Sequence, residues 1–281
     1  MISKVLYLGP KGSYSELAKN KFKDFYTSDC EFEAYNSIDM IMRKLCNSNS
    51  TNLAGVVPIE NSIEGIVRDT QDNLINLAQK GIRITAECFL AIEHSLIGFG
   101  SKENIKNLTS HPQALAQCRE YIYNNWNEEI NLLPTLSTSI AISNLTPKDK
   151  ATAGIASKYC AKLYNVPIIE SGINDKENNT TRFLLLSKFT PKKDTENKVS
   201  ITFSTENKAG ALNKVLSILE KYELNMSYID SRPSRKELGE YIFYIDFSGH
   251  IEDGKVTNAL IEIQPYIKMF EILSEGAKFV S

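Results

Sequence analysis

The segment 178–186 combines the residue types that a small-molecule active site needs. Its sequence, Asn-Asn-Thr-Thr-Arg-Phe-Leu-Leu-Leu, supplies amide and hydroxyl groups, then the cation Arg182, then a run typical of a buried strand. An ordinary junction between a loop and a strand would also be polar, but it would not need an arginine directly before four apolar residues. The sequence therefore predicts a soluble enzyme whose active site is built around Asn179–Phe183.

Hydroxyl side chains also occur near the predicted starts of five helices, each of which follows a predicted strand: Ser13, Ser62, Ser110, Ser137 with Thr138, and Ser157. Any one of them is explained by simple N-capping. In α/β folds, however, such turns lie at the carboxyl ends of strands, where ligands bind. Helix starts expose free N–H groups, so these turns suit a carboxylate or a phosphate.

Several motifs of well-known enzyme classes are absent. The chain has no G-x-G-x-x-G, G-K-[ST], H-E-x-x-H or G-x-S-x-G, which argues against a dinucleotide or ATP site, a zinc metalloprotease and an α/β-hydrolase. The five cysteines are odd in number and lack zinc-site spacing, so neither a disulfide framework nor a metal site is predicted. His111, at a helix start, is a candidate ligand contact. His94 is equally well explained as a buried structural residue, and His250 is expected on the surface.

The composition is that of an ordinary soluble protein, with 42% hydrophobic and 23% charged residues. A formal net charge of -2 argues against a broad basic surface for nucleic acid. The first residues lack a signal-peptide core, and no apolar run approaches the roughly 18 residues of a membrane span. We expect a cytoplasmic protein without nucleic-acid or membrane partners.

Strands alternate with helices through residues 1–189, which predicts an α/β domain with a largely parallel sheet. Within it, Ile38, Ile41, Met42 and Leu45 have the spacing of one helix face. The polar segment 190–198 is interpreted as a linker. Residues 199–281 show a ferredoxin-like βαββαβ order, with strands predicted at 199–204, 226–232, 241–247 and 268–273 and a turn at 234–239.

Separated blocks along nearly the whole chain resemble the prephenate dehydratase family. They are Gly9–Glu16, where Ser13 replaces the usual threonine, Pro58–Ser62, His94–Leu96, Ser110–Leu115, and Thr181-Arg182-Phe183 preceded by Tyr164, Val166, Ile169 and Asp175 at the family's spacings. The second part resembles an ACT domain. Asn207–Leu212 matches its Gly-Ala-Leu motif, and Asp230–Pro233 matches its Glu-Ser-Arg-Pro motif, with Asp230 in place of glutamate and Tyr228 where a basic residue is usual.

The resemblance implies a two-lobed catalytic domain like the type-II periplasmic binding proteins, with a second lobe at about residues 80–170, followed by the ACT domain. It implies that prephenate loses water and carbon dioxide to give phenylpyruvate without a cofactor. Phenylalanine would bind the ACT domain as an allosteric effector. Because ACT domains commonly pair side by side, a homodimer or homotetramer is expected.

The family's critical threonine corresponds to Thr181, from which we expect a hydrogen bond to the departing hydroxyl oxygen. Helix starts and a cation such as Arg182 are expected to hold the side-chain carboxylate of the substrate. The alternative for Arg182 is a structural role with a partner inside the protein. The expected substrate-binding residues are Ser13, Glu60, Asn61, Ser62, Ser110, His111, Gln113, Thr138, Asn179, Thr180, Arg182 and Phe183. The expected phenylalanine-binding residues are Asn207, Ala209, Gly210, Ala211, Leu212, Asp230, Ser231, Arg232 and Pro233.

Three alternatives stay open on the sequence. Arogenate dehydratase acts on a substrate with an amino group in place of the keto group, and one sequence does not decide between the two. A cytosolic amino-acid sensor would share the ACT domain, but no DNA-binding helix pair or basic stripe supports it. A solute-binding protein would share the two-lobed fold, but it would need an export signal.

Overall fold

Alternating strands and helices organise the computed structural model, which describes residues 1–127, 129–189, 193, 197–234 and 239–281. The strands are β1 (Ile2–Leu8), β2 (Tyr26–Tyr35), β3 (Leu53–Asn61), β4 (Gly65–Ile66), β5 (Arg83–Ala91), β6 (Ser95–Gly98), β7 (Asn107–Ser110), β8 (Asn131–Pro134), β9 (Thr152–Ala156), β10 (Ile168–Ser171), β11 (Thr180–Ser187), β12 (Asn197–Thr205), β13 (Met226–Pro233), β14 (Tyr241–Ser248) and β15 (Ile267–Val280). The helices are α1 (Tyr14–Lys21), α2 (Ile38–Asn47), α3 (Arg68–Gln79), α4 (Pro112–Ala116), α5 (Arg119–Trp126), α6 (Thr138–Ser143), α7 (Lys158–Tyr164), α8 (Ala211–Lys221) and α9 (Gly254–Ile263). The predicted α/β class is confirmed.

The larger of the two sheets is mixed, so the prediction of a largely parallel sheet was wrong. Its strand order is β13-β14-β12-β15-β5-β11-β3-β1-β2, with the short β4 paired to β3. β1 pairs in parallel with β2 and β3, whereas β11 pairs antiparallel with both β3 and β5. The pattern of apolar residues reports burial and not strand direction, which is why it missed the antiparallel β11.

A second sheet, β10-β6-β9-β7-β8, forms from residues 95–171 and packs with α4, α6 and α7. β5 stays in the large sheet, so the chain crosses into this second lobe after Ala91 rather than near residue 80. β11 returns to the large sheet between β5 and β3, and its first residue, Thr180, pairs with Ala91 at that crossing. The first residues of β11 therefore lie where the two lobes meet.

Local sequence signals account for most helix positions. The apolar face of α2 that the spacing predicted is buried, and Ser37 caps that helix. Ser13, Ser137 and Ser157 accept hydrogen bonds as N-caps of α1, α6 and α7. Among the described residues, no helix has the length and apolar character to span a membrane.

Of the predicted helix starts, the one at Ser62 was wrong, whereas the one at Ser110-His111-Pro112 was confirmed. Ser62 caps no helix, because β3 continues through Asn61 and pairs with β4, and α3 begins only after Val67. His111 rather than Ser110 is the N-cap of α4, with Pro112 in the first turn, while the Ser110 hydroxyl donates to the Ile155 carbonyl at 2.6 Å. A second helix, α5, follows after a break, with Cys118 as its N-cap.

The second part forms the predicted βαββαβ unit from β12, α8, β13, β14, α9 and β15. β15 is far longer than predicted. It pairs antiparallel with β12 from Ile267 to Lys278, and its last residues, Lys278–Val280, pair in parallel with β5. One strand therefore joins the two parts of the chain in a single sheet. The predicted linker and the 234–239 turn lie largely outside the described residues, although Asn197 and Lys198 already belong to β12.

His250 is buried, with 4% exposure, and the expectation of a surface position was wrong. It packs directly on Gly276 of β15, where an added Cβ would lie 2.1 Å from the imidazole Cδ2. Because Gly276 has no side chain, the imidazole of His250 can pack against its backbone. The residues around His250 in the sequence are polar and do not predict this contact.

Candidate active site

A cavity of about 330 Å³ lies between the two lobes. Residues of β3, β4, β11 and the start of α1 line one side, and residues of α4, α6 and their preceding turns line the other. Five of the predicted substrate-binding residues line it together with Thr181, namely Ser13, Asn61, His111, Gln113 and Thr138. The structure thus brings distant parts of the sequence, including the predicted catalytic threonine, to one cleft.

The Thr181 hydroxyl is oriented by Asn61. The side-chain oxygen Oδ1 of Asn61 accepts hydrogen bonds from the backbone N–H groups of Ile63 and Glu64, both at 2.9 Å. These two bonds fix the orientation of the Asn61 side-chain amide. The amide nitrogen then donates to Thr181 Oγ1 at 2.9 Å. Thr181 is therefore an acceptor toward Asn61, and its own hydroxyl proton remains to be donated to a ligand in the cavity that it lines.

A chain of amides continues from Asn61 across the cleft. Asn61 also donates to Asn179 Oδ1 at 2.7 Å, and the Asn179 amide nitrogen donates to Gln117 Oε1 at 3.3 Å. The same Gln117 oxygen lies 3.0 Å from His94 Nε2, so His94 is the donor and carries its proton on that nitrogen. Burial lowers the pKa of His94, and the hydrogen bond to Gln117 opposes this shift only in part. A neutral His94 thus ends a network that holds Thr181 in place.

Helix starts supply the remaining polar groups. Ser13 and Ser137, the N-caps of α1 and α6, line the cavity, as does His111, whose Nδ1 accepts from the Gln113 N–H at 3.2 Å. The described lining residues include no lysine or arginine, and Glu64 is the only carboxylate among them. An anion in this cavity would therefore meet hydroxyl, amide and imidazole side chains and no cation of the described lining residues.

Arg182 does not reach the cavity, and its predicted role as a carboxylate partner is corrected. Neighbouring residues of a strand point to opposite faces, so Arg182 faces away from Thr181. It is 6% exposed and pairs with Glu87 at 2.5 Å and with Asp246 of β14 at 2.7 Å. Lys198, which is half-buried, completes this quartet through its own contact with Glu87. Burial alone would lower the pKa of Arg182, but the two carboxylates outweigh burial and hold it above its ordinary value.

The other predicted substrate residues lie behind the cavity wall. Phe183 is buried in the core of the large sheet. Ser62 accepts from the Thr180 N–H at 2.9 Å and donates to the Asn178 carbonyl at 3.0 Å, which ties the start of β11 to the end of β3. Ser110, Glu60, Asn179 and Thr180 likewise do not line the cavity, and the last two accept hydrogen bonds from the lining residue Asn61.

The sequence reasoning missed several lining residues, among them Tyr14, Glu64, Gln117, Leu136 and Ser137 as a cavity residue. Tyr14 donates to the Glu93 carbonyl at 2.6 Å and so links the two lobes. Gln117 follows Gln113 at one helical turn, a spacing that could have identified it. Leu136, by contrast, could not be predicted as a lining residue, because nothing in the neighbouring sequence distinguishes it from other leucines in loops.

The predicted phenylalanine residues fall on two elements. Gly210, with φ +79°, is the N-cap of α8, and Ala209 and Ala211 border a second cavity of about 360 Å³. On β13, Ser231 and Pro233 are exposed, whereas Asp230 and Arg232 are half-buried against α3. The Asp230–Pro233 motif thus has one face toward solvent and one toward the catalytic part. Leu212 packs on the core of this unit, and Asn207 lies beside Gly239.

Comparisons with known proteins match both parts of the chain. The family described as prephenate dehydratase matches residues 5–191, and the ACT domain family matches residues 199–264. A prephenate dehydratase of Methanocaldococcus jannaschii is 40% identical over an alignment that covers 98% of each chain.

Solved structures give the same result. The prephenate dehydratase of Staphylococcus aureus subsp. aureus Mu50 superposes with a TM-score of 0.81 at 25% identity, covering 98% of this chain and 100% of that one. A prephenate dehydratase of Arthrobacter aurescens, solved in complex with L-Phe, has a TM-score of 0.80 at 26% identity, with coverages of 96% and 89%. The chain belongs to the prephenate dehydratase family, is a lyase, and has an ACT domain after its catalytic domain.

Proposed function

We propose that the cavity between the lobes converts prephenate to phenylpyruvate, with Thr181 donating a hydrogen bond to the departing hydroxyl. The observation that carries the proposal is the Asn61–Thr181 pair. Asn61 occupies the acceptor side of the threonine hydroxyl, which leaves its proton for the substrate. A threonine is too weak an acid to protonate the leaving group alone, so the proton comes from water or from another group in the cleft.

The lining residues suit the two carboxylates of prephenate. Hydrogen bonds from the helix starts at His111, Ser137 and Thr138, with Gln113 beside them, hold the substrate without a paired cation. Ser13 shapes the wall, since its N–H and hydroxyl already donate to the Pro10 and Leu8 carbonyls. Strong ion pairing of the ring carboxylate would stabilise the ground state and oppose decarboxylation. A cavity without lysine or arginine among its described lining residues avoids that penalty.

A direct assay tests the proposal. Purified protein incubated with prephenate should form phenylpyruvate, which is measured by its ultraviolet absorbance in alkali. The value of kcat/KM for prephenate should exceed that for arogenate, whose product, phenylalanine, is quantified by chromatography. A higher kcat/KM for arogenate would select arogenate dehydratase instead. Turnover of neither substrate, together with phenylalanine binding, would select the non-catalytic sensor.

We also propose that phenylalanine binds the ACT domain at the Asn207–Leu212 turn and lowers catalytic activity. Gly210 holds this turn in a left-handed conformation at φ +79°, and an added Cβ would meet no atom within 4 Å. Gly210→Val should weaken phenylalanine binding at least about tenfold in calorimetry, because strain of roughly 1–3 kcal/mol distorts the turn. Gly254→Val is the matched control, since Gly254 also has open space but no positive φ. Equal affinity of both variants for phenylalanine would exclude the turn as the binding site.

The proposal includes a cytoplasmic homodimer or homotetramer. β13 is an edge strand of the large sheet, and Met226 and Ile229 on it are exposed together with Tyr241 of the neighbouring β14. A sheet edge with apolar side chains favours pairing with another copy.

A further inference from the structure

Strand β13 presents two different faces. Tyr228, Asp230 and Arg232 alternate along it and are half-buried, whereas Ile229 and Ser231 between them are exposed. Alternation in a strand places the first three on one side. The motif expected to bind phenylalanine therefore directs its two charged residues away from the open face of the ACT sheet and toward the catalytic part of the chain.

The inward face of β13 meets one face of α3. Arg68, Gln71 and Asp72 have the spacing of neighbours on a helix. Gln71 donates to Asp230 Oδ2 at 2.7 Å and to the Tyr228 hydroxyl at 3.2 Å, and Arg68 pairs with Asp230 at 3.3 Å. The two positions at which this chain departs from the usual ACT motif, Tyr228 and Asp230, thus share Gln71 as a partner.

Arg232 is engaged in the same interface. Its Nε and Nη2 donate to the two carboxylate oxygens of Asp72, both at 2.9 Å. This parallel, two-pronged geometry is the one in which an arginine binds a carboxylate most strongly. An effector carboxylate would have to displace Asp72 to use the same fork.

The same N-terminal end of α3 also borders the catalytic cavity. Gly65, Ile66 and Val67, directly before the helix, line the cavity, and Gly65 pairs with Asn61 across β3 and β4. Thr70 of α3 also donates to the Pro58 carbonyl at 2.6 Å. A shift of α3 would therefore move β3, the strand that carries Asn61, and Asn61 orients Thr181.

From these contacts we infer that Asp230 and Arg232 transmit the effector signal to α3 and do not themselves bind phenylalanine. α3 is the coupling element between the ACT domain and the cavity wall. The inference rests on the proposed function, in which phenylalanine binds the ACT domain and lowers turnover of prephenate.

The test separates binding from response. In the wild-type protein, phenylalanine should lower kcat/KM for prephenate by about 5- to 150-fold, the usual range of allosteric coupling. Asp72→Asn should keep turnover without phenylalanine within about twofold of wild type and reduce the phenylalanine effect to less than about twofold. Calorimetry on the same samples should give a phenylalanine Kd no more than about threefold weaker than wild type for both Asp72→Asn and Arg232→Met.

A control variant on the same helix and a double variant test whether the loss of regulation is specific to the Asp72–Arg232 contact. Asp69→Asn changes an exposed aspartate of the same helix and should leave regulation intact. The Asp72→Asn, Arg232→Met double variant should lose no more regulation than either single variant, because the two substitutions remove the same contact. Full regulation in Asp72→Asn, or more than tenfold weaker phenylalanine binding in Arg232→Met, would overturn the inference. A wild-type protein that neither turns over prephenate nor binds phenylalanine would contradict the proposed function itself.

Discussion

Thr181→Val is expected to lower kcat for prephenate by at least about 100-fold, the low end of contributions from groups that donate a proton or hydrogen bond to a leaving atom. Valine keeps the shape of the side chain but removes the donor that Asn61 holds toward the cavity. KM should change far less than kcat, because the lost interaction strengthens in the transition state. Steady-state kinetics with purified prephenate measures both constants.

Two further variants make that result specific. Thr181→Ser retains the hydroxyl and should recover most of the lost kcat. Thr202→Val replaces another buried strand threonine, on β12, whose hydroxyl has no hydrogen-bond partner among the described residues, and it should leave kcat unchanged. A Thr181→Val enzyme with more than about one tenth of wild-type kcat would show that this hydroxyl does not assist departure of the leaving group.

Arg182→Met should destabilise the protein by roughly 3–5 kcal/mol, the usual cost of removing one partner of a buried charge cluster. Methionine fills a similar volume but leaves Glu87 and Asp246 buried, with Lys198 as the remaining cation of the quartet. Urea unfolding measures the change in the free energy of unfolding. The kinetic constants of the folded fraction should stay close to wild type, since Arg182 does not line the cavity.

The matched control is Arg43→Met. Arg43 pairs with Asp39 at 2.7 Å, but both side chains are more than half exposed, so the loss should stay below about 1 kcal/mol. An Arg182→Met protein that is as stable as Arg43→Met, but has a strongly raised KM, would restore the original expectation that Arg182 binds the substrate carboxylate.

The sequence predicted best what depends on neighbours along the chain. The spacing of Ile38, Ile41, Met42 and Leu45 located α2, and serines at strand ends located three of the N-caps. The role of Arg182 could not be predicted in this way. Its partners Glu87 and Asp246 lie far away in sequence, and only the order of strands brings them together.

In the candidate site, too, the sequence predicted which residues belong to the site better than it predicted their contacts. Family-like blocks indicated Thr181, Asn61 and His111, but which of the polar residues face the cleft depends on strand pairing and on the closeness of the lobes. Asn179 was expected to bind substrate, and it instead links Asn61 to Gln117. Such assignments require knowing which face of β11 and of the turn before it is covered.

The course of β15 has a consequence for how this protein can be altered. A domain joined only by a linker can be deleted without harm to its neighbour, but here the last residues of the chain complete the edge of β5 within the catalytic sheet. Truncation after residue 189 would strip that edge and expose the apolar surface around Cys88 and Phe89. Inhibition by phenylalanine is therefore better removed by single substitutions than by deleting the ACT domain. Deletion would also remove the β15 residues that pair with β5 of the catalytic sheet.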